Sequence, residues 1–456
     1  MTFGEMVALF ATRAGLKKVR ERAEGAASLA TNFAMGGPAN QQYTTIGDSR
    51  MAYMYGGAST PRSSALSANS VMNMANALLG QRMTPLANYA VPGERHDEYL
   101  ARLPQALASG AGYIVIHGYF NDIQFGLTAD QIWNGYSSGA WSTGLKAALD
   151  ACRAAGRRVI LFTETGGGGG PYQFDLTKLR ETLKINQRLR EYAWGNNAVI
   201  LIDAAYICWE PSATTQITHR SGYFDDYVHW NHFANWMIAK ALAAALLPVT
   251  VPAPCMSAAG FEYQSALMEG INAIQNGLFL TTTGGPTLPT GITGVRPANW
   301  TYSRVGVPTA DMSLVANADG YGNDLVVAAT FTQRGEQIIL SQSISATHMS
   351  PGDILRAGCV VKIDAGATNY WGSFMRNEVL NTTMQDFNVT TSLGPSGAPA
   401  VAGPDDARLV THRTAYCVVP DAAGNFTWTL RLVSAGAGSV TARISRCWER
   451  QQFTAV

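Results

Sequence analysis

The chain has 456 residues and a formal charge of +1, and charged residues make up only 14% of it. This balance gives no electrostatic case for nucleic acid or an anionic membrane, so neither nucleic-acid binding nor membrane insertion is expected. The length predicts two or three domains, each with its own core. The six cysteines show no metal-ligand spacing, and most are expected in the core. A disulfide among Cys359, Cys417 and Cys447 is an alternative.

The first segment, residues 1–40, is predicted to be mostly one helix, over 4–34. Lys17 and Lys18 follow its apolar stretch, whereas a secretory signal has its positive charge first. The segment precedes the main α/β pattern like an addition to it. We expect an attachment or oligomerisation segment, with a helix packed on the main domain as the alternative.

Short β-rich runs alternate with helical patterns from residue 41 to 247. Strands are predicted at 43–46, 88–91, 113–117, 158–163 and 199–203, and helices at 65–80, 97–109, 143–155, 176–194 and 231–246. This alternation predicts an α/β domain with a parallel sheet covered on both faces, and five strands favour a flavodoxin-like order. In such sheets the ligand site lies beyond the carboxyl ends of the strands.

The pattern changes after this domain. Three prolines within 248–256 predict a stiff, extended linker. Residues 257–456 then contain alternating apolar and polar runs separated by Gly, Asn and Asp turns. This pattern is typical of an all-β sandwich, and a jelly roll is predicted.

Two short motifs carry the chemistry. Gly47-Asp48-Ser49 follows the first predicted strand, and Asp226 and His229 stand at the start of the last predicted helix. A serine hydroxyl needs an imidazole to take its proton, and the imidazole needs a carboxylate to hold its tautomer. Ser49, His229 and Asp226 could supply these three groups without a metal or cofactor. His232 competes as the base, but His229 has the closer spacing to Asp226.

Two further residues follow predicted strands and could stabilise an oxyanion. Gly93 could offer its backbone amide, and Asn121 could offer its side-chain amide. Acyl transfer needs such donors aimed at the tetrahedral intermediate. Gly166 to Gly170 would lie at the same edge, as a mobile lip or as a flexible surface insertion.

Taken in order, Gly-Asp-Ser, Gly93, Asn121-Asp122 and Asp-x-x-His resemble the four blocks of the SGNH (GDSL-type) hydrolase superfamily. The resemblance covers about 43–246. It implies a three-layer, flavodoxin-like hydrolase domain with Ser49 as the nucleophile and His229 as the base. Asp226 would orient the base, and an oxyanion hole would be formed by Ser49, Gly93 and Asn121. Tyr119 departs from the usual Gly-x-Asn-Asp pattern, and Trp230 replaces the usual proline.

In its pattern of strands and turns, the β region resembles carbohydrate-binding jelly rolls. Exposed aromatic side chains could stack on sugar rings, and the candidates are Trp300, Tyr302, Tyr370, Trp371 and Trp428. The alternative places such aromatics in the core. The combination of an esterase with such a module resembles bacteriophage tail-fibre or tailspike deacetylases. That resemblance implies an extracellular or virion-associated homotrimer with other virion proteins as partners.

The first functional hypothesis is therefore an esterase that removes O-acetyl groups from an acetylated polysaccharide. A lipid or aryl-ester hydrolase is the second, and long apolar walls around Ser49 would favour it. A non-catalytic carbohydrate-binding adhesin is the third, but pure binding has no need of Ser49, Asp226 and His229 together.

Overall fold

A computed structural model describes the chain in segments. The described residues are 40–52, 70–136, 142–211, 215–224, 226–251, 272–318, 320–345, 354–379, 389–390, 407–413, 417–418 and 425–452. The predicted helix at 4–34 and residues 252–256 of the predicted linker lie outside them.

The first domain contains a five-stranded parallel sheet. Its strands are β1 (Gln42–Gly47), β2 (Thr84–Asn88), β3 (Tyr113–His117), β4 (Arg158–Phe162) and β5 (Val199–Ile202). Their order is β2-β1-β3-β4-β5, so the predicted flavodoxin-like order is confirmed. Strand β2 begins at Thr84, not at residue 88. Its Pro85 hid it in the sequence, although an edge strand tolerates a residue with no N–H.

The predicted helices at 143–155, 176–194 and 231–246 agree with the structure to within one residue at each end. The prediction at 97–109 covers two helices, His96–Leu100 and Leu103–Ala108, and the short helices that begin at Ser49, Phe120, Ala129 and Ala204 were missed. The bounds are α1 (Ser49–Ala52), α2 (Val71–Leu78), α3 (His96–Leu100), α4 (Leu103–Ala108), α5 (Phe120–Gln124), α6 (Ala129–Asn134), α7 (Gly144–Ala154), α8 (Leu176–Trp194), α9 (Ala204–Cys208) and α10 (His232–Leu246).

The sheet is buried on both faces. Successive side chains of β3 belong to different apolar clusters: Val115 packs in one, and Ile114 and Ile116 pack in the other. This is the alternation that a pleated strand imposes. Burial of each such aliphatic side chain contributes about 1.5–3 kcal/mol to the free energy of folding. The apolar contacts on the two faces of the sheet are therefore the main stabilisation of the three-layer arrangement.

The C-terminal region is mostly β and sandwich-like. Its strands are β6 (Ile292–Gly294), β7 (Thr301–Val305), β8 (Thr309–Ala316), β9 (Asn323–Phe331), β10 (Gln337–Ile344), β11 (Ile354–Ile363), β12 (Thr368–Val379), β13 (Val389–Thr390), β14 (Arg408–Arg413), β15 (Cys417–Val418) and β16 (Phe426–Gln452). The long β16 pairs with β10 and β12 through its first half and with β9 and β11 through its second.

The two regions share one buried apolar cluster. It includes Trp236 and Leu242 of α10 together with Tyr370 and Val410 of the β region. Hydrogen bonds also cross the contact. Among them, the indole N–H of Trp371 donates to His232 Nε2 at 3.1 Å. The two regions are therefore packed against each other through both apolar and polar groups.

Helix α10 is strongly apolar. By length and composition alone, His232–Val249 could cross a membrane, with a mean hydropathy of 1.2. In the structure its residues Ile238, Leu242 and Leu246 are fully buried in the shared cluster. Burial of this kind is typical of a core helix. Pro248 lies in a single 3₁₀ turn, Leu247–Val249, so the predicted extended linker does not begin there.

The cysteines that the structure describes with their side chains are buried free thiols: Cys152, Cys208, Cys359 and Cys447. Cys359 and Cys447 are therefore not joined to each other. The Cys417 side chain lies outside the described residues.

Candidate active site

The tight turn after β1 presents Ser49 at the carboxyl edge of the sheet. Gly47 has a φ of +154°, and a Cβ at this position would overlap the carbonyl oxygen of His117. Only glycine allows this close approach. The amide of Asp48 then donates to the same carbonyl at 3.2 Å, and α1 begins at Ser49. The backbone of β3 therefore fixes where the serine stands.

Ser49, His229 and Asp226 form a continuous hydrogen-bonded relay. His229 Nε2 lies 2.8 Å from Ser49 Oγ, and His229 Nδ1 lies 2.5 Å from Asp226 Oδ2. With the Nδ1 proton donated to the carboxylate, Nε2 can accept the serine proton. The three groups that the motifs predicted therefore lie in the order that acyl transfer needs.

The Asp226 carboxylate is held by its own loop. Its Oδ1 accepts from the backbone amides of Val228 at 3.1 Å and His229 at 2.8 Å. Burial raises the pKa of this carboxyl, but the hydrogen bonds from His229 and Val228 outweigh burial and lower it below its usual value. Asp226 is therefore kept ionised to orient the imidazole.

The loop that carries Asp226 and His229 is not part of the last helix. Helix α10 begins at His232, and the Asn231 side chain caps it by accepting from the amides of Phe233 and Ala234. The predicted spacing of three works in a tight loop whose second residue, Tyr227, has a φ of +68°. His232 is buried and accepts from Trp371, so the structure places it outside the relay.

The two predicted oxyanion donors lie on neighbouring segments. Gly93 has a φ of +84° in an exposed turn, and the preceding Val91 amide donates to the Gly47 carbonyl at 2.9 Å. Asn121, in α5, donates one Nδ2 hydrogen to the Glu94 carbonyl at 2.9 Å. The amide group has a second hydrogen that could serve an oxyanion. These contacts join the second and third blocks to the serine turn.

A buried ion pair lies beneath the relay, and the sequence reasoning missed it. Arg50 Nη1 lies 2.5 Å from Glu164 Oε1, and both side chains are fully buried. Arg50 Nε also donates to the carbonyl of Val228 at 3.2 Å. Arg50 follows the nucleophile in sequence and Val228 precedes the base. One guanidinium therefore ties the serine turn to the histidine loop.

The Glu164 carboxylate also accepts hydrogen bonds from two backbone amides. Its Oε1 accepts from the Gly166 amide at 2.6 Å and its Oε2 accepts from the Tyr119 amide at 3.2 Å. Burial raises its pKa, but the charge of Arg50 outweighs burial and lowers it. A signal was present in the sequence, because Glu164 lies two residues after the end of β4 and Arg50 directly follows Ser49. Their pairing across 114 residues is visible only in the fold.

Two other buried groups adjoin the ion pair. Burial lowers the pKa of His117 to about 3, so the ring is neutral and its Nε2 can accept from Arg50 Nη1 at 3.3 Å. Burial also raises the pKa of Asp48 to about 7, against the opposing charge of Arg50. The site thus combines one exposed relay with a buried set of charges under it.

The described residues contain one group with metal-ligand types. His96, Asp97 and Asp122 bring three potential ligand atoms within 4.8 Å of one another. Protein partners already engage them: His96 Nδ1 lies 2.6 Å from Asp122 Oδ1, and Asp97 pairs with Arg95 at 3.4 Å. These contacts form a hydrogen-bonded network within the protein. The network fixes Asp122, the residue next to Asn121.

The five aromatics predicted to bind sugar are not exposed, so this prediction is wrong. Their exposed fractions are at most 6%, and they pack within the β region or between it and α10: Trp300, Tyr302, Tyr370, Trp371 and Trp428. Trp300 and Trp428 pack edge to face at 5.2 Å. The alternation of residues along a strand predicts to which face of the sheet a side chain points. It does not predict whether another layer of the protein covers that face.

The packing of the run Gly166 to Gly170 also differs from what was predicted. Gly166 and Gly167 are buried, and a Cβ on Gly167 would overlap the carbonyl oxygen of Tyr172. A Cβ on Gly168 would overlap the ring of His219, and one on Gly169 the ring of Tyr227. The run is therefore packed into the site, and glycine is required there by close contacts.

Comparison with known proteins agrees with this geometry. Residues 45–235 match the model of the GDSL-like lipase/acylhydrolase family. No match is found among curated proteins.

Three solved structures give remote likenesses. Axe2, an acetylxylan esterase from Geobacillus stearothermophilus, is 14% identical, with a TM-score of 0.33, and the match covers 45% of this chain and 93% of that one. The enzymatically active domain of tailspike protein 4 of bacteriophage CBA120 is 14% identical, with a TM-score of 0.26 and coverages of 45% and 25%. The carbohydrate-binding module TmCBM61, solved with β-1,4-galactotriose, is 12% identical, with a TM-score of 0.24 and coverages of 40% and 99%.

The family match spans all four blocks, from the strand before Ser49 to the helix after His229. The match and the relay together support a GDSL-like acylhydrolase domain within residues 45–235.

Proposed function

We propose that this protein is a serine esterase that removes O-acetyl groups from a bacterial surface polysaccharide through an acyl-serine intermediate. The observation that carries the proposal is the relay from Asp226 through His229 to Ser49 Oγ, with contacts of 2.5 and 2.8 Å. Such a relay activates a hydroxyl for attack on a carbonyl carbon.

The reaction would run in two halves. Ser49 Oγ attacks the acetyl carbonyl while His229 Nε2 takes the hydroxyl proton, and the oxyanion accepts from Gly93 and Asn121. His229 then returns the proton to the departing sugar oxygen, which leaves an acetyl-serine. Water, deprotonated by His229, attacks that ester, and acetate leaves as Ser49 regains its proton.

The openness of the site favours a large polar substrate over a lipid. The side chains of His229 and Asp226 are 30% and 53% exposed, so among the residues that the structure describes no long apolar wall encloses the relay. A polysaccharide chain can lie across such a site, whereas an acyl-chain lipase needs a deep apolar channel. Trimeric assembly and a virion-associated location stay predictions, and the mass in solution tests the first.

The test is acetate release from acetylated polysaccharides by the wild type and by Ser49→Ala. We expect release by the wild type and a loss of about 10⁴–10⁶-fold in the variant, because the nucleophile is gone. Long-chain p-nitrophenyl esters serve as the comparison. A preference for them over sugar acetates would favour the lipid-ester alternative, and no turnover of any ester would refute both.

A further inference from the structure

One aromatic side chain at the active site has no part in the relay. Tyr227 lies between Asp226 and Val228, and it is 53% exposed. The backbone of this loop does the work of holding Asp226, through the amides of Val228 and His229. Nothing in the relay therefore requires a large ring at position 227.

The backbone at Tyr227 is strained for a bulky residue. Its φ of +68° is in the left-handed region, which glycine adopts readily and a bulky side chain rarely does. Such outliers cluster at active sites and ligand clamps. A ring at this position thus has a cost that glycine would avoid, and a compensating use is expected.

The glycine run forms a seat beneath the ring. The Gly168 amide donates to the Tyr227 carbonyl at 3.1 Å. A Cβ on Gly169 would overlap the ring, and one on Gly170 would lie 3.3 Å from it. Since these glycines have no side chains, the ring can lie directly on their backbone. One part of the ring is thereby supported and the remainder faces solvent.

We propose that Tyr227 is a stacking platform for a sugar ring of the esterified substrate, with its ring seated on Gly169 and Gly170. Flat aromatic faces recognise the apolar C–H faces of sugar rings, and this ring stands within two residues of the catalytic carboxylate and base. The proposal rests on the esterase function proposed above, and it moves sugar recognition from the β region to the rim of the catalytic site.

The decisive variant is Tyr227→Gly, which removes the ring and suits the backbone. Tyr227→Phe keeps the ring as the matched control, and Tyr206→Ala removes a tyrosine that is 77% exposed in α9. Glucose pentaacetate provides a sugar ring, and ethyl acetate provides the same acyl group without any ring. Acetate release from both is followed in a pH-stat.

For Tyr227→Gly we expect KM for glucose pentaacetate to rise about tenfold, with kcat within about twofold. The kcat/KM for ethyl acetate should stay within about twofold of wild type, and so should both controls on both substrates. Because backbone strain is relieved, the melting temperature should not fall by more than about 2 °C. Equal losses on both substrates, or no loss on the sugar acetate, would overturn the platform.

A binding measurement separates this proposal from the esterase proposal. Saturation-transfer NMR of glucose pentaacetate with Ser49→Ala needs no turnover. We expect transfer to the sugar C–H protons, and its loss in the Ser49→Ala, Tyr227→Gly double variant. If neither substrate is hydrolysed but this pattern holds, only the esterase proposal fails. If transfer is the same in both proteins, the platform is refuted whatever the turnover.

Discussion

The buried pair of Arg50 and Glu164 allows a sharp prediction about Glu164→Gln. The carboxylate accepts from Arg50 Nη1 at 2.5 Å and from the amides of Gly166 and Tyr119. Glutamine has one acceptor oxygen, so its amide nitrogen would face a donor. Arg50, with its side chain fully buried, would lose the carboxylate that its Nη1 contacts.

Removing one partner of a buried pair costs about 3–5 kcal/mol. For a cooperative unit of 150–250 residues, roughly 2–4 °C per kcal/mol gives a fall in melting temperature of about 6–20 °C. Activity should fall as well, because Arg50 Nε holds the Val228 carbonyl next to His229. A displacement of the base by about 1 Å costs about a hundredfold in rate.

The assay pairs guanidinium unfolding with ester hydrolysis below the melting range. Lys146→Gln is the control, because its pair with Asp150 is exposed and should contribute less than about 1 kcal/mol. The double variant Arg50→Met, Glu164→Leu leaves no lone charge and should recover part of the stability but not the rate. The rest is lost because the amides of Gly166 and Tyr119 no longer have their acceptor. A Glu164→Gln protein within about 1 kcal/mol of wild type would refute the reasoning.

Three further predictions concern single positions. Asp226→Asn should lower kcat by about 10³–10⁴-fold with unchanged circular dichroism, since the imidazole loses its tautomer control; near-normal turnover would contradict the relay. Burial raises the pKa of Asp48 from 3.8 to about 7, so the folded state binds this proton more tightly and loses stability as pH rises between those values. Asp48→Asn should therefore flatten that slope and melt higher than wild type at pH 8, and an unchanged slope would count against it. Gly167→Ala should lower both melting temperature and activity because its Cβ would overlap the Tyr172 carbonyl, whereas Gly195→Ala, with nothing within 4 Å of its Cβ, should be nearly neutral by the same measurements.

The sequence was sufficient to predict those features of the fold and the site that depend on local patterns of residues. Strand–helix alternation predicted the parallel sheet and its order, because βαβ handedness leaves few other arrangements. It also placed Ser49, Gly93 and Asn121 after strands, and such positions converge at one edge. His229 was preferred over His232 by spacing alone, and the structure places His229 against the serine.

The sequence did not predict contacts between residues that are far apart in the chain. The pairing of Arg50 with Glu164 joins two strand ends across the sheet, and no periodicity encodes it. The five β-region aromatics were misjudged because covering a face depends on the other strands and, for Trp371, on α10. Tyr227 was passed over because its exposure follows from a backbone conformation that a tyrosine seldom adopts.

The buried cluster that spans both regions has a practical consequence for protein engineering. Trp236 of α10 packs with Arg408 of the β region at 5.2 Å, and Gln81 donates to the Thr411 carbonyl across the same boundary. Cutting the chain near residue 251 would expose this apolar face to water and invite aggregation. The catalytic part is therefore not an exchangeable cassette, and grafting it onto another binding module would require redesign of the surface that α2 and α10 present.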